Sequence, residues 1–198
     1  MTAMIGDFFV YMLMALSVEN LLFTRGLGIG KTMMIVRKPV YLVSFAWVLS
    51  VVMVVTTCLS WGIYRLLRTV GFLYAFYPLI YLLCVSLVFI PMTAYYQHFK
   101  PEQYEQMKRV LRLASFNTAV IGASLIAMQG ILTFPHALGF AVGSAIGFTI
   151  ALLLVGEGQR VLSLKQVPRA FQGLPITLLY IGILSLAFYG LIGHQLPV

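Results

Sequence analysis

The feature that most limits this chain is the length of its uncharged runs. Val40–Tyr64 contains no Asp, Glu, Lys or Arg, and Leu113–Gly156 contains none either, interrupted only by His136. A helix needs about 20 apolar residues to cross a hydrocarbon core ~30 Å thick, so the first run suits one crossing and the second suits two. Barrel strands would show alternation over about ten residues between turns, which these runs lack. Backbone polar groups in lipid must be satisfied within the segment, so such runs become helices. Charged residues make up 9% of the 198 residues, against about 25% in soluble domains. That is too little to cover a water-soluble fold, and the expected class is an all-α integral membrane protein.

Six apolar segments follow. Segment 1 runs from Phe8 to Arg25, segment 2 over Val40–Tyr64 and segment 3 over Gly71–Tyr96, where Pro78 and Pro91 kink or bound the helix. Thr133-Phe134-Pro135-His136 divides the long run into segment 4, Leu113–Leu132, and segment 5, Ala137–Gly156. Glu157–Gly173 reads as a loop, and segment 6 is Leu174–Ile192. Between segments 3 and 4, residues 99–112 form the one polar stretch. Glu105 stands at helical spacing from Lys108 and Arg109, while Tyr104, Met107 and Leu111 share a face. This pattern predicts an interfacial helix. Tyr74, Tyr77, Tyr81, Tyr95 and Tyr96 are candidates for aromatic belts.

The net charge of +8 comes from 13 Lys and Arg at segment ends. All but Arg65 and Arg68 fall in the loops after segments 1, 3 and 5, so those loops are expected in the cytoplasm and both termini outside. This is a topological signal, not one for nucleic acid. Met1–Asp7 has no basic region, so a cleaved signal peptide is not expected. Cys58 and Cys84 lie alone within apolar runs and read as packing residues.

Two stretches interrupt the apolar pattern. Val18–Thr32 carries Glu19, Asn20, and glycines at 26, 28 and 30, and Ser115–Gly122 carries Asn117. If segments 1–3 match segments 4–6, the odd count per half makes the repeats inverted in the membrane. Broken helices at such a repeat interface hold the functional centre. The expected fold is thus one transmembrane domain over 1–198: six transmembrane helices as two inverted three-helix repeats, about 1–98 and 113–198, joined by the interfacial helix, with half-helix breaks in segments 1 and 4.

The candidate chemistry is sparse. Gly28-Ile29-Gly30-Lys31-Thr32 resembles the end of a phosphate loop, but the position requiring the first glycine is Arg25 and no strand precedes it. A half-helix turn is the better reading. Glu19 belongs either to an ion path or to a structural role, as a helix-break acceptor or a partner of Arg25. Asn20 and Asn117 can bond the frayed backbone at the breaks. Gly139, Gly143 and Gly147, four apart, form a small-residue strip for close packing against a helix or a subunit. His98, His136 and His194 stand apart at segment ends, and no catalytic set is present.

Val18-Glu19-Asn20, Leu27-Gly28, Asn117-x-Ala119-Val120-Ile121-Gly122, Gly139-Phe140-x-x-Gly143-x-x-x-Gly147-Phe148, Val167-Pro168-x-x-Phe171-x-Gly173 and Leu184-Ser185-Leu186-Ala187-Phe188 occur in that order. The set resembles the Rnf/Nqr membrane-subunit family, on the RnfA/NqrE branch. The resemblance implies paired, inversely oriented six-helix subunits in complexes that couple electron transfer to Na⁺ or H⁺ export. It also implies an iron–sulfur cluster held between two homologous subunits by cysteines on the half-helices. Here those cysteine positions fall on Gly30 and Thr118, neither of which can replace a thiolate. The family's loop charges likewise fall on Gln159, Arg160, Gln166 and Gln172.

The expected function is a membrane subunit of an Rnf/Nqr-like complex in the plasma (inner) membrane, a scaffold binding no cofactor alone. Its partners would be a homologous inverted subunit or a second copy, the bilayer, and flavin or iron–sulfur redox subunits. The alternatives are a small-molecule or ion transporter on the same fold and a structural assembly subunit.

Overall fold

A computed structural model describes residues 2–30, 35, 39–67, 76–130, 133–164 and 167–192. Lys31, Thr32, Arg37, Lys38, Arg68, Tyr74, Lys165, Gln166 and His194 lie outside the described residues. The described chain is helical: α1 Thr2–Ser17, α2 Pro39–Leu67, α3 Tyr77–Phe99, α4 Pro101–Ser115, α5 Thr118–Gly130, α6 Phe134–Ser163 and α7 Leu174–Ile192, with a 3₁₀ turn at Arg169–Phe171 before α7.

Among the described residues, four helical stretches are long and apolar enough to cross a membrane: Tyr41–Leu67, Tyr77–Phe99, Pro101–Met128 and Phe134–Ser163. Met4–Ser17 and Leu174–Gly190 are apolar but shorter. The third stretch contains a break, because α4 ends at Ser115 and α5 begins at Thr118.

α2 is the hub, packed against α3, α4, α5 and α6. Phe45, Leu49 and Met53 on α2 are fully buried with Phe148 and Leu152 on α6 and with Leu21 and Leu22 of the segment after α1. Outward faces carry Trp47 on α2, Leu79, Leu83 and Ile90 on α3, and Ile183 and Leu186 on α7, all exposed. Apolar side chains on both faces are what a lipid-embedded bundle requires.

Several boundaries differ from the sequence reading. Glu157–Ser163, expected as loop, continues α6, and the Glu157–Arg160 ion pair at 2.8 Å spans one helical turn there. That stretch holds no proline, its one poor helix former, Gly158, packs against Tyr180, and the i,i+3 pair supports a helix. At 30 residues, α6 is about 45 Å long, well beyond the hydrocarbon thickness. The polar stretch expected at 99–112 forms α4 but runs to Ser115, and Val110, Leu111, Ala114 and Ser115 at its end are buried. Pro78 sits in the first turn of α3, where its missing N–H is harmless, and Pro91 lies inside the helix. Tyr77 and Tyr81 turn inward instead of joining a belt, and Tyr81 Oη lies 3.5 Å from the Ser115 carbonyl.

Candidate functional site

The two interruptions meet. α1 stops at Ser17, whose hydroxyl donates to Leu13 O at 2.7 Å. The Glu19 N–H then reaches back to Met14 O, one residue further than a regular turn allows. Asn20, 2% exposed, rebuilds order. Its Oδ1 accepts from the Leu22 and Phe23 N–H groups, each at 3.1 Å. Its Nδ2 donates to Leu16 O at 3.2 Å and to Gly147 O on α6 at 3.1 Å. The tight turn that follows closes at Gly26, φ +67, with Gly26 N–H on Leu22 O and Leu27 N–H on Leu21 O. These bonds satisfy backbone groups that a broken helix would leave bare in an apolar interior.

Asn117 does the matching work in the second break. Its Oδ1 accepts the Ala119 N–H at 3.0 Å, and its carbonyl accepts those of Val120 and Ile121. It is the N-cap of α5. The next residue, Thr118, accepts the Gly28 N–H on its Oγ1 at 2.8 Å, so a hydrogen bond joins positions 90 apart in sequence.

Gly28 has to be glycine for two reasons. Its φ is +81, and a Cβ there would stand 2.6 Å from Phe148 Cε2 and 2.9 Å from Asn117 Oδ1. The space beside Gly122 on α5 is filled by Leu27 in the same way, a Cβ meeting Leu27 Cδ1 at 2.2 Å. Gly30 is exposed and a Cβ on it would meet nothing within 4 Å.

The glycine strip holds α1. Cβ atoms on Gly139, Gly143 and Gly147 would lie 2.3, 2.1 and 3.0 Å from the carbonyl oxygens of Phe8, Met12 and Leu16. Both sets recur every four residues, so one ridge of α1 runs along the groove the missing side chains leave. α1 and α6 form the most extensive helix pair, and Asn20 extends the contact into the break.

Glu19 Oε1 pairs with Arg25 Nη2 at 3.2 Å, with the arginine side chain half exposed. At the far end of the strip, His136 Nε2 lies 3.4 Å from Asp7 Oδ2, and the ring stacks on Tyr11 with centroids 4.1 Å apart. In the sequence His136 is simply a histidine at a segment end, because its partners lie too distant in the chain to leave a local signal. Gln159 Nε2 donates to Thr177 Oγ1 at 2.7 Å, joining α6 to α7, where Gly158 receives the Tyr180 ring. Gln159 and Thr177 line a cavity of about 480 Å³ with Ser163 and Gln172.

The donor set at the junction is poor for a metal group. Gly30 has no side chain and the Thr118 oxygen already accepts a hydrogen bond. Cys58 is on α2 and Cys84 on α3, the latter buried against Ile80 and Met128. Among the described residues, no three His, Cys, Asp or Glu side chains gather as metal ligands.

Residues 8–194 match the family described as "Rnf-Nqr subunit, membrane protein". The chain is 31% identical over 179 residues to the A subunit of the ion-translocating oxidoreductase complex of Syntrophotalea carbinolica, covering 90% of this chain and 93% of that one. It is 27% identical over 186 residues to the A subunit of the Na(+)-translocating ferredoxin:NAD(+) oxidoreductase complex of Acetobacterium woodii, covering 93% and 96%. A stretch of 93 residues is 40% identical to the corresponding ion-translocating oxidoreductase protein of Aromatoleum aromaticum, covering 47% and 48%.

Proposed function

The chain belongs to the Rnf-Nqr family of membrane subunits, and from that premise we propose that it is a membrane subunit of an ion-translocating electron-transport complex that holds no iron–sulfur cluster of its own. The observation that carries the second half is the hydrogen bond from Gly28 N–H to Thr118 Oγ1. The resemblance puts a cysteine ligand at position 118. Here that side chain instead ties one helix break to the other, and the companion position, Gly30, has nothing to ligate with. The family's cluster does not fit these residues. The junction acts as a structural joint between the two halves of the chain.

The six-crossing, two-repeat arrangement is part of the same proposal. Asn20 and Asn117 support it, since each follows the end of a helix and turns its side-chain oxygen onto the N–H two residues ahead. Helix α1, at 16 residues, is short for a crossing. A short span is accommodated by local thinning of the bilayer or by association, so packing against a homologous inverted subunit or a second copy would compensate. The excess of Lys and Arg in the odd loops supports termini on the outer side.

The test is purification of the tagged chain from its own membrane in mild detergent, with co-purifying subunits identified by mass spectrometry and cofactors by absorbance. The proposal expects a homologous membrane subunit together with flavin or iron–sulfur subunits. A chain that purifies without redox partners, and is stabilised by a small solute or ion, would refute it in favour of a transporter.

A further inference from the structure

Between α3 and α4 lies a second cavity, of about 240 Å³, lined by Phe89, Thr93, Tyr104, Lys108, Leu111 and Arg112. Its lining is mixed. Phe89 and Leu111 are its apolar residues, while Lys108, Arg112, Thr93 and Tyr104 carry polar groups. The Arg112 Nε donates to Lys108 O at 3.3 Å, which holds the guanidinium beside the cavity. Its two terminal nitrogens make no other hydrogen bond among the described residues. The Thr93 hydroxyl is buried and has no partner among them.

The cavity's height in the fold matters as much as its lining. Arg112 is the last charged residue before the uncharged run Leu113–Gly156. Thr93 stands four residues before the Gln97-His98 end of α3. The apolar stretches of both helices therefore end at this cavity, which sets it at the boundary between hydrocarbon and headgroups.

We propose that this cavity binds the phosphate of an anionic phospholipid, with Arg112 and Lys108 on the phosphate and the glycerol and first acyl carbons over Phe89 and Leu111. Charge complementarity carries the choice of occupant, and the apolar Phe89 and Leu111 in the lining favour a lipid over a soluble phosphate. Lys108 is also paired with Glu105. That pair is on the exposed side of α4, where such pairs contribute little, so the ammonium is free to turn to a phosphate. A planar guanidinium with two free nitrogens suits a phosphodiester better than an ammonium does.

The full chain in neutral detergent is titrated with phosphatidylglycerol, phosphatidylcholine, glycerol 3-phosphate or inorganic phosphate, reading thermal stabilisation and, by native mass spectrometry, retained lipid. Phosphatidylglycerol is expected to bind and phosphatidylcholine to bind more weakly. Arg112→Gln should weaken the binding about tenfold, the loss of a charge-assisted hydrogen bond. Lys108→Gln should weaken it in the same direction, and it leaves Arg112 and its bond to the α4 backbone in place should Arg112→Gln fold poorly. Arg109→Gln, the same charge change on an exposed position of α4, should change it about twofold or less, a screened surface effect. Equal losses for Arg109→Gln and Arg112→Gln would overturn the site in favour of diffuse basic attraction. Equal retention of the two lipids would overturn the charge argument. Displacement of the lipid by glycerol 3-phosphate or inorganic phosphate at equal concentration would make the occupant a soluble phosphate and overturn the lipid.

Discussion

Gly28→Ala probes the junction most sharply, because Gly26→Ala supplies a matched reference two residues away. Both glycines have positive φ, +67 at Gly26 and +81 at Gly28. An alanine at either position meets the left-handed penalty of about 1–2 kcal/mol, offset by ~0.4–1 kcal/mol from a less flexible unfolded chain. The surroundings differ. A Cβ on Gly26 meets nothing within 4 Å, whereas on Gly28 it meets Phe148 at 2.6 Å and Asn117 Oδ1 at 2.9 Å. Both neighbours are buried, and Asn117 is held by its cap bond, so neither gives way freely. Overpacking of this kind costs about 1–3 kcal/mol. That is the expected difference between the variants, read as unfolding in mixed micelles by circular dichroism. In a Phe148→Leu background, which lacks the ring atoms in contact, the Gly28→Ala penalty should shrink. Equal losses at positions 26 and 28, or a penalty at 28 indifferent to Phe148→Leu, would refute the close approach of the two breaks.

Gly143→Ala should destabilise by about 1–3 kcal/mol because its methyl would meet Met12 O at 2.1 Å, while Gly6→Ala on α1, with nothing within 4 Å, should be neutral or stabilising in the same assay. Asn117→Ala should lose about 0.5–2 kcal/mol with the α5 cap, and Asn117→Asp should keep most of the capping contribution, since the bonded atom is the side-chain oxygen. Glu19→Gln removes an exposed ion pair with Arg25 and should change stability by ~1 kcal/mol or less. The same variant should leave ion-coupled activity of the intact complex unchanged, and a large loss of coupling with normal stability would return Glu19 to an ion path.

The residues announce mostly what repeats, or is missing, over a short span. The uncharged runs define the membrane class without any tertiary information, and Thr133-Phe134-Pro135 divides α5 from α6 because proline belongs in a first turn. Glycines four apart mark one face of α6, but spacing alone does not say that α1 lies on it. The charged start of 157–163 looks like a loop by polarity and by Gly158, yet it holds no proline, the Tyr180 ring packs on that glycine, and α6 runs through it. Asn20 and Asn117 stand out as polar residues at interruptions. The bond between Gly28 and Thr118 joins residues 90 apart, and its partners carry no charge or periodicity, so no local signal announces it. The same holds for Phe148, an ordinary aromatic in sequence that occupies the space a Gly28 side chain would need.

The proposal that this chain holds no cluster is tested most directly by iron and acid-labile sulfide analysis of the protein purified anaerobically and freed of its partners. With glycine at 30 and a hydrogen-bonded threonine at 118, the expected result is iron and sulfide far below one per chain, unchanged in Thr118→Ala. Stoichiometric iron and sulfide that fall in Thr118→Ala would contradict the account.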